Sequence, residues 1–180
     1  MIDPEEILYH YYDRGSVLAE TLIRHSRQVR DKALEVAGRV PQLHPDTEFI
    51  AQSAMLHDIG IYRTSAARIG CHGSLPYIVH GVVGRQILEE WGLQAHALVC
   101  ERHVGAGITR HDIRTQGLPL PDRDMCPVSI EEVIVCYADK FFSKSNDGTM
   151  HAVGDVIAEL QRHGADKADL FLTWHKLFSG

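Results

Sequence analysis

The chain has 180 residues, the size of one ordinary domain, and can bury roughly 70% of its unfolded surface without disulfides. Hydrophobic residues make up 44% and charged residues 23%, and 18 Lys+Arg against 24 Asp+Glu give a net charge of −6. That balance argues against disorder and against a basic face gripping nucleic acid, so no nucleic-acid partner is expected. Histidine is the outlier, with 12 copies.

Four cysteines without a CxxC pair read as reduced thiols, which points to a cytoplasmic protein. The opening MIDPEEILYHYYDRG is acidic and lacks the basic start of a secretory signal. The densest apolar run, Val133 to Tyr137, is far short of the ~20 residues of a membrane span, so no membrane partner is expected.

Helical periodicity dominates and predicts an all-α fold of about seven helices in a single domain, 1–180. Leu18, Leu22, Val29 and Val36 form one stripe of a first helix over about 16–38. Asp46 caps a second helix running to about Asp58, with Ala51, Ala54 and Met55 inward. A third spans about Tyr77 to Trp91 and stops at Gly92, a C′ glycine, and a fourth spans about Gln94 to His103. Ser129 opens a fifth, with SIEE reading as a capping box closed by Glu132, and Val133, Ile134 and Tyr137 lead to Phe141. Two amphipathic helices fill about 149–178. Residues 63–76 and 105–129 are irregular connections, the second with one short helix after Thr109.

Six polar residues fall where core residues belong. His25 shares a face with Leu22 and Val29, and Asp58 shares one with Ala54 and Met55, with His57 about 100° further round. His80 lies with Val83 and Ile87, His103 with Val99 and Cys100, and Asp139 between Val135 and Phe142. A single histidine on such a stripe is more often a hydrogen-bonded core residue than a ligand, and a lone buried Asp can cap a helix or pair with an arginine. Together, two buried carboxylates and four histidines are satisfied by divalent cations, and iron, zinc, manganese or nickel suit them better than calcium. Six ligands exceed one structural zinc and suit two metals sharing a carboxylate.

The blocks RHSRQVR, AMLHDIGIY, YIVHGVVGRQIL, VCERHVGAGIT and CYADKFF stand in the order H…HD…H…H…D. In this the chain resembles the HD superfamily of metal-dependent phosphohydrolases over about residues 20–145, with the literal HDIG tetrad at 57–60. It looks most like small stand-alone HDIG-domain proteins, and is also similar to bacterial enzymes that split dinucleoside polyphosphates. It lacks the GYP tripeptide of cyclic-di-GMP phosphodiesterases. The resemblance implies an all-α fold in which His25, His57, Asp58 and Asp139 hold a first metal. His80 and His103 would hold a second, with Asp58 bridging. Relatives often place Lys or Arg directly after the tetrad. Here Ile61 follows, and Arg63 is the substitute expected to meet phosphate.

The implied activity is hydrolysis of a phosphate ester, on a nucleotide or similar small phosphate. A metal-activated water attacks phosphorus, Asp58 bridges, and Lys140 adds positive charge. A di-iron oxygenase and a non-catalytic nucleotide sensor are the alternatives on the same ligands. Gly105 and Gly107 let the chain after His103 approach a bound group, so residues 105–117 are expected to border the pocket. His72 and His111 lie in the irregular connections and could face the site. His10, His44, His96, His151, His163 and His175 read as surface or packing residues.

Overall fold

The computed structural model describes residues 3–145 and 148–179. Asp3 opens α1 (Pro4–Tyr11), its carboxylate accepting the amides of Glu5 and Glu6, with Pro4 in the first turn. Ser16 caps α2 (Val17–Arg39), the long central helix, and Asp46 caps α3 (Thr47–Leu56) as its sequence predicts. After a 3-10 turn (Ile59–Arg63) and a short antiparallel ribbon, Ser65–Ala66 against Cys71–His72, the chain enters α4 (His80–Glu90). Gly92, at φ +74°, reverses it into α5 (Gln94–Arg102). Then come α6 (Arg110–Gln116), α7 (Ile130–Asp139), α8 (Val153–Gln161) and α9 (Ala165–Phe178).

The all-α expectation holds, with nine α-helices among the described residues rather than about seven. The two beyond seven are α1, which periodicity does not show, and α6, the short helix expected after Thr109. Residues 105–129 are therefore not an open connection. Ile108 and Met125 exchange backbone hydrogen bonds at 3.0 and 2.8 Å, and Thr109 with Asp112 closes a capping box at the start of α6. The box expected at Ser129 is only half made. Ser129 accepts the Glu132 amide, but the Glu132 carboxylate turns to the Val128 amide and to Arg102.

Two apolar cores meet along α2. One joins Val29, Val36, Ile50, Val135, Tyr137 and Phe171 from α2, α3, α7 and α9. The other joins Leu8, Leu22, Met55, Leu56, Ile87 and Cys100 from α1 to α5. Ala54 belongs to the first and Met55 to the second, as do Val99 and Cys100 respectively, so the chain crosses the seam just before His57 and just before His103. The candidate site lies on that seam. Gly60 brings α4 up to it, because a Cβ there would lie 2.2 Å from the His80 carbonyl oxygen and 2.6 Å from the Gly84 nitrogen.

Candidate metal centre

His25 is the one member of the cluster set in mid-helix, on α2 between Leu22 and Val29. The others sit at helix ends. His57 and Asp58 follow the last residue of α3, His80 opens α4, His103 caps α5 and Asp139 closes α7. Asp58 therefore does not ride on the helical face assigned to it by periodicity; the turn after Leu56 aims it inward. All six side chains are buried.

Asp58 divides the cluster between its two oxygens. Oδ2 lies 3.2 Å from His25 Nε2 and 3.0 Å from His57 Nε2. The same two nitrogens lie 3.0 and 3.4 Å from Asp139 Oδ1. Oδ1 faces the other way, 3.3 Å from His80 Nε2 and 3.5 Å from His103 Nε2. The six residues thus form two groups that share Asp58, His25/His57/Asp58/Asp139 and Asp58/His80/His103, each with ligand atoms within 4.8 Å of one another.

Three of the histidines have their tautomer fixed. Nδ1–H of His57 donates to the Ala54 carbonyl at 2.7 Å, that of His80 to Tyr77 at 2.7 Å and that of His103 to Cys100 at 2.8 Å. A carbonyl oxygen only accepts, so in each neutral ring Nε2 carries a lone pair. Burial pushes His80 down to about 3, outweighing the pull of Asp58, and depresses His103 as well, so both rings are neutral near pH 7. Their Nε2 atoms are nevertheless 3.2 Å apart, lone pair towards lone pair. Among the described residues, neither Asp58 oxygen makes a hydrogen bond of good geometry, although the Lys144 ammonium lies 2.5 Å from Oδ2. Buried acceptors turned on one another are costly unless a cation lies among them, and imidazole with carboxylate is a transition-metal donor set. The residues fit divalent cations. At His57 burial opposes the charged ring, but Asp58 and Asp139 prevail and raise it to about 9, so a metal there would displace a proton.

Two lysines complete the charge balance. Lys140 Nζ is 2.7 Å from Asp139 Oδ2, and Lys144 Nζ is 2.5 Å from Asp58 Oδ2. Burial works against both ammoniums, yet the neighbouring carboxylates hold them above the usual lysine range. Periodicity gave no sign of Lys144, which follows α7 in a stretch without helical pattern. Arg63, expected to meet phosphate, is exposed at the end of its 3-10 turn and is not among the residues lining the adjoining cavity. His72 and His111 are likewise exposed and outside that lining.

The cavity measures about 990 Å³ and reaches His80, His103, Asp139, Lys140 and Lys144. Gly105, Ala106, Gly107 and Ile108 form one side. The far side comes from α6, α8 and α9 through Asp112, Glu159 and Lys167. His151 and His163, read from sequence as surface or packing residues, also line it.

Residues 22–143 match the family model of the HD domain. The chain belongs to the HD domain family. This HD domain is 35% identical to an uncharacterized protein of Methanocaldococcus jannaschii over 151 residues, 82% of this chain and 79% of that protein. It is 31% identical to a tRNA (cytidine(56)-2'-O)-methyltransferase of Thermoplasma volcanium over 97% of this chain, and 34% identical to that of Picrophilus torridus over 69%. Those matches span only 45% and 32% of the two methyltransferases. Its fold is similar to the HD domain of the L. monocytogenes phosphodiesterase PgpH, with TM-score 0.54 at 13% identity over 99% of this chain and 100% of that one. The same domain in complex with cyclic-di-AMP gives TM-score 0.55 at 12% identity, covering 99% of each chain. Among the described residues, no helix is long and apolar enough to cross a membrane.

Proposed function

We propose that this HD domain is a metal-dependent phosphohydrolase, a phosphomonoesterase or phosphodiesterase, acting on a nucleotide or similar small phosphate. The observation that carries this reading is the pair of buried Nε2 atoms of His80 and His103, 3.2 Å apart with both Nδ1 atoms committed to carbonyls. His25, His57, Asp58 and Asp139 would hold one divalent cation, and His80 and His103 a second, with Asp58 shared. Bound cations of this kind polarise a phosphoryl oxygen and bring the pKa of water towards neutrality.

The chain's own residues supply the rest. Asp58 offers one oxygen to each group and so fixes their separation. The carbonyls of Ala54, Tyr77 and Cys100 hold the three imidazoles in orientation, leaving little to rearrange when ligation begins. Lys140 lies on the cavity wall, held by Asp139 and by a 3.4 Å contact with the His103 carbonyl, and places a fixed positive charge where phosphoryl oxygens arrive. Gly105 and Gly107 add no side chain to the wall after His103. Ile69, Ile78, Val104 and Ile108 give the cavity an apolar side suited to the flat face of a base. The L. monocytogenes domain of similar fold has been solved with a cyclic dinucleotide bound, which favours a nucleotide here as well.

A screen of mono- and dinucleotide phosphates with Mn²⁺, Fe²⁺, Co²⁺ and Mg²⁺ tests the reading, with phosphate or mononucleotide release as the signal. Turnover that is lost with chelator and restored by metal is expected. Aerobic O₂ uptake without phosphate chemistry would move the site to oxygenase chemistry, and tight nucleotide binding without turnover would make it a sensor.

A further inference from the structure

Lys144 stands in a position that the proposed hydrolysis does not explain. Its Nζ lies 2.5 Å from Asp58 Oδ2, the oxygen that also faces His25 Nε2 at 3.2 Å and His57 Nε2 at 3.0 Å. The side chain is 13% exposed and its partner Asp58 is 0% exposed. The ammonium also lies 6.0 Å from the centre of the Tyr77 ring, and Tyr77 packs against His80 with ring centres 4.7 Å apart. Lys144 is therefore a cation resting on the carboxylate that both ligand groups share.

Lys140 is held differently. It is the chain neighbour of Asp139 and contacts the His103 carbonyl as well. Lys144 follows α7 outside any helix, on a flexible four-carbon stem, and lines the cavity. An ammonium at that distance and a divalent cation on Asp58 Oδ2 repel each other strongly away from water, so each weakens the hold of the other.

We propose that Lys144 is an anion-binding residue with two successive partners, the Asp58 carboxylate and then the phosphate of the substrate. This rests on the reading of the cluster as a metal centre. While it pairs with Asp58, Lys144 offsets the charge of the buried carboxylate and competes with metal for it. The apparent metal affinity is then lowered by the fraction of chains in which the pair is closed. Once Asp58 is engaged elsewhere, Lys144 loses its counter-ion and turns into the cavity that it already lines, where a phosphate group replaces the carboxylate.

The test compares the full chain with Lys144→Met, using Lys144→Gln as a milder replacement and Lys144→Arg as the charge-keeping control. Mn²⁺ binding is measured by titration calorimetry, and inorganic phosphate is then titrated into the Mn²⁺-loaded protein. Removing the ammonium should tighten Mn²⁺ about tenfold or more and weaken phosphate by about the same factor, with Lys144→Arg close to wild type on both. The Tm without added metal should fall while the Tm with Mn²⁺ holds. A purely structural lysine would lower both Tm values equally, and that result overturns the proposal. Unchanged or weaker Mn²⁺ binding, or unchanged phosphate binding, also overturns it and leaves the phosphohydrolase reading standing. A wild-type chain that binds no Mn²⁺ overturns both.

Discussion

His80 and His103 meet through Nε2 atoms 3.2 Å apart, each ring locked by an Nδ1–H donated to the carbonyl three residues before it. Neither ring can turn its donor towards the other without giving up that hydrogen bond. The pair is thus preset to offer two lone pairs to one point, and Asp58 Oδ1 faces the same point at 3.3 and 3.5 Å.

Asp58 should be the most sensitive position. Loss of partners that merely orient metal ligands typically costs about 10–100-fold, so removal of the shared ligand should cost more. Asp58→Ala is expected to bring kcat/KM below about a hundredth of wild type and to lower metal content at both groups, with helicity by circular dichroism retained. Full metal content in that variant would remove Asp58 from the ligand set.

The wall after His103 makes a graded prediction. Gly105 has φ +62° with open space around its Cβ position, so Gly105→Ala carries only a left-handed backbone penalty of about 1–2 kcal/mol. Gly107 has φ +89°, and a Cβ there would lie 2.9 Å from Cys126 Sγ, so Gly107→Ala should cost more. With metal content unchanged, the double variant should reorder kcat/KM across phosphate substrates. An unaltered order would reduce this segment to a surface connection.

Asp112 ties α6 to α9 by accepting the Lys167 ammonium at 2.7 Å while closing the capping box with Thr109. Burial would raise its pKa, but Lys167 and the Thr109 amide and hydroxyl prevail and bring it from 3.8 to about 2. The stabilisation is therefore complete above the ordinary carboxylate value and is lost as pH falls towards about 2. Asp112→Asn should cost about 1 kcal/mol at neutral pH, and its Tm deficit should close as the solution is acidified through that window. A deficit independent of pH would assign the effect to shape and not to charge.

Phe171 is fully buried and stacks on Tyr137 with ring centres 5.1 Å apart, which secures α9 against the helix that carries Asp139. Phe171→Ala should lower the urea-unfolding free energy by about 3–5 kcal/mol. Metal stoichiometry in the folded fraction should stay unchanged, since the cluster lies on the other side of α7. A loss below about 1 kcal/mol would mean that α9 packs loosely.

The cluster was legible because six polar residues interrupted apolar patterns and five blocks stood in a recognisable order. The reason for their inward aim was not. Periodicity placed Asp58 on a helix, whereas α3 stops at Leu56 and the turn does the aiming. The first helix was missed although Asp3-Pro4-Glu5-Glu6 is a start signal, because its apolar stripe is only two turns long. Lys144 left no trace, since a side chain reaching in from an irregular segment has no period to betray it. Arg63 shows the converse: near the tetrad in sequence, it is turned to solvent by the ribbon that follows. Nor could sequence show His151 and His163 on the cavity wall, which depends on how the chain after α7 folds back.

The most direct measurement is the metal content per chain of wild-type and His103→Ala protein, loaded with Mn²⁺, freed of excess metal and analysed by mass spectrometry. The account predicts about two ions per chain for wild type and about one for His103→Ala, because that variant dismantles only the group of Asp58, His80 and His103. Equal metal content in the two proteins, or none in either, would contradict it.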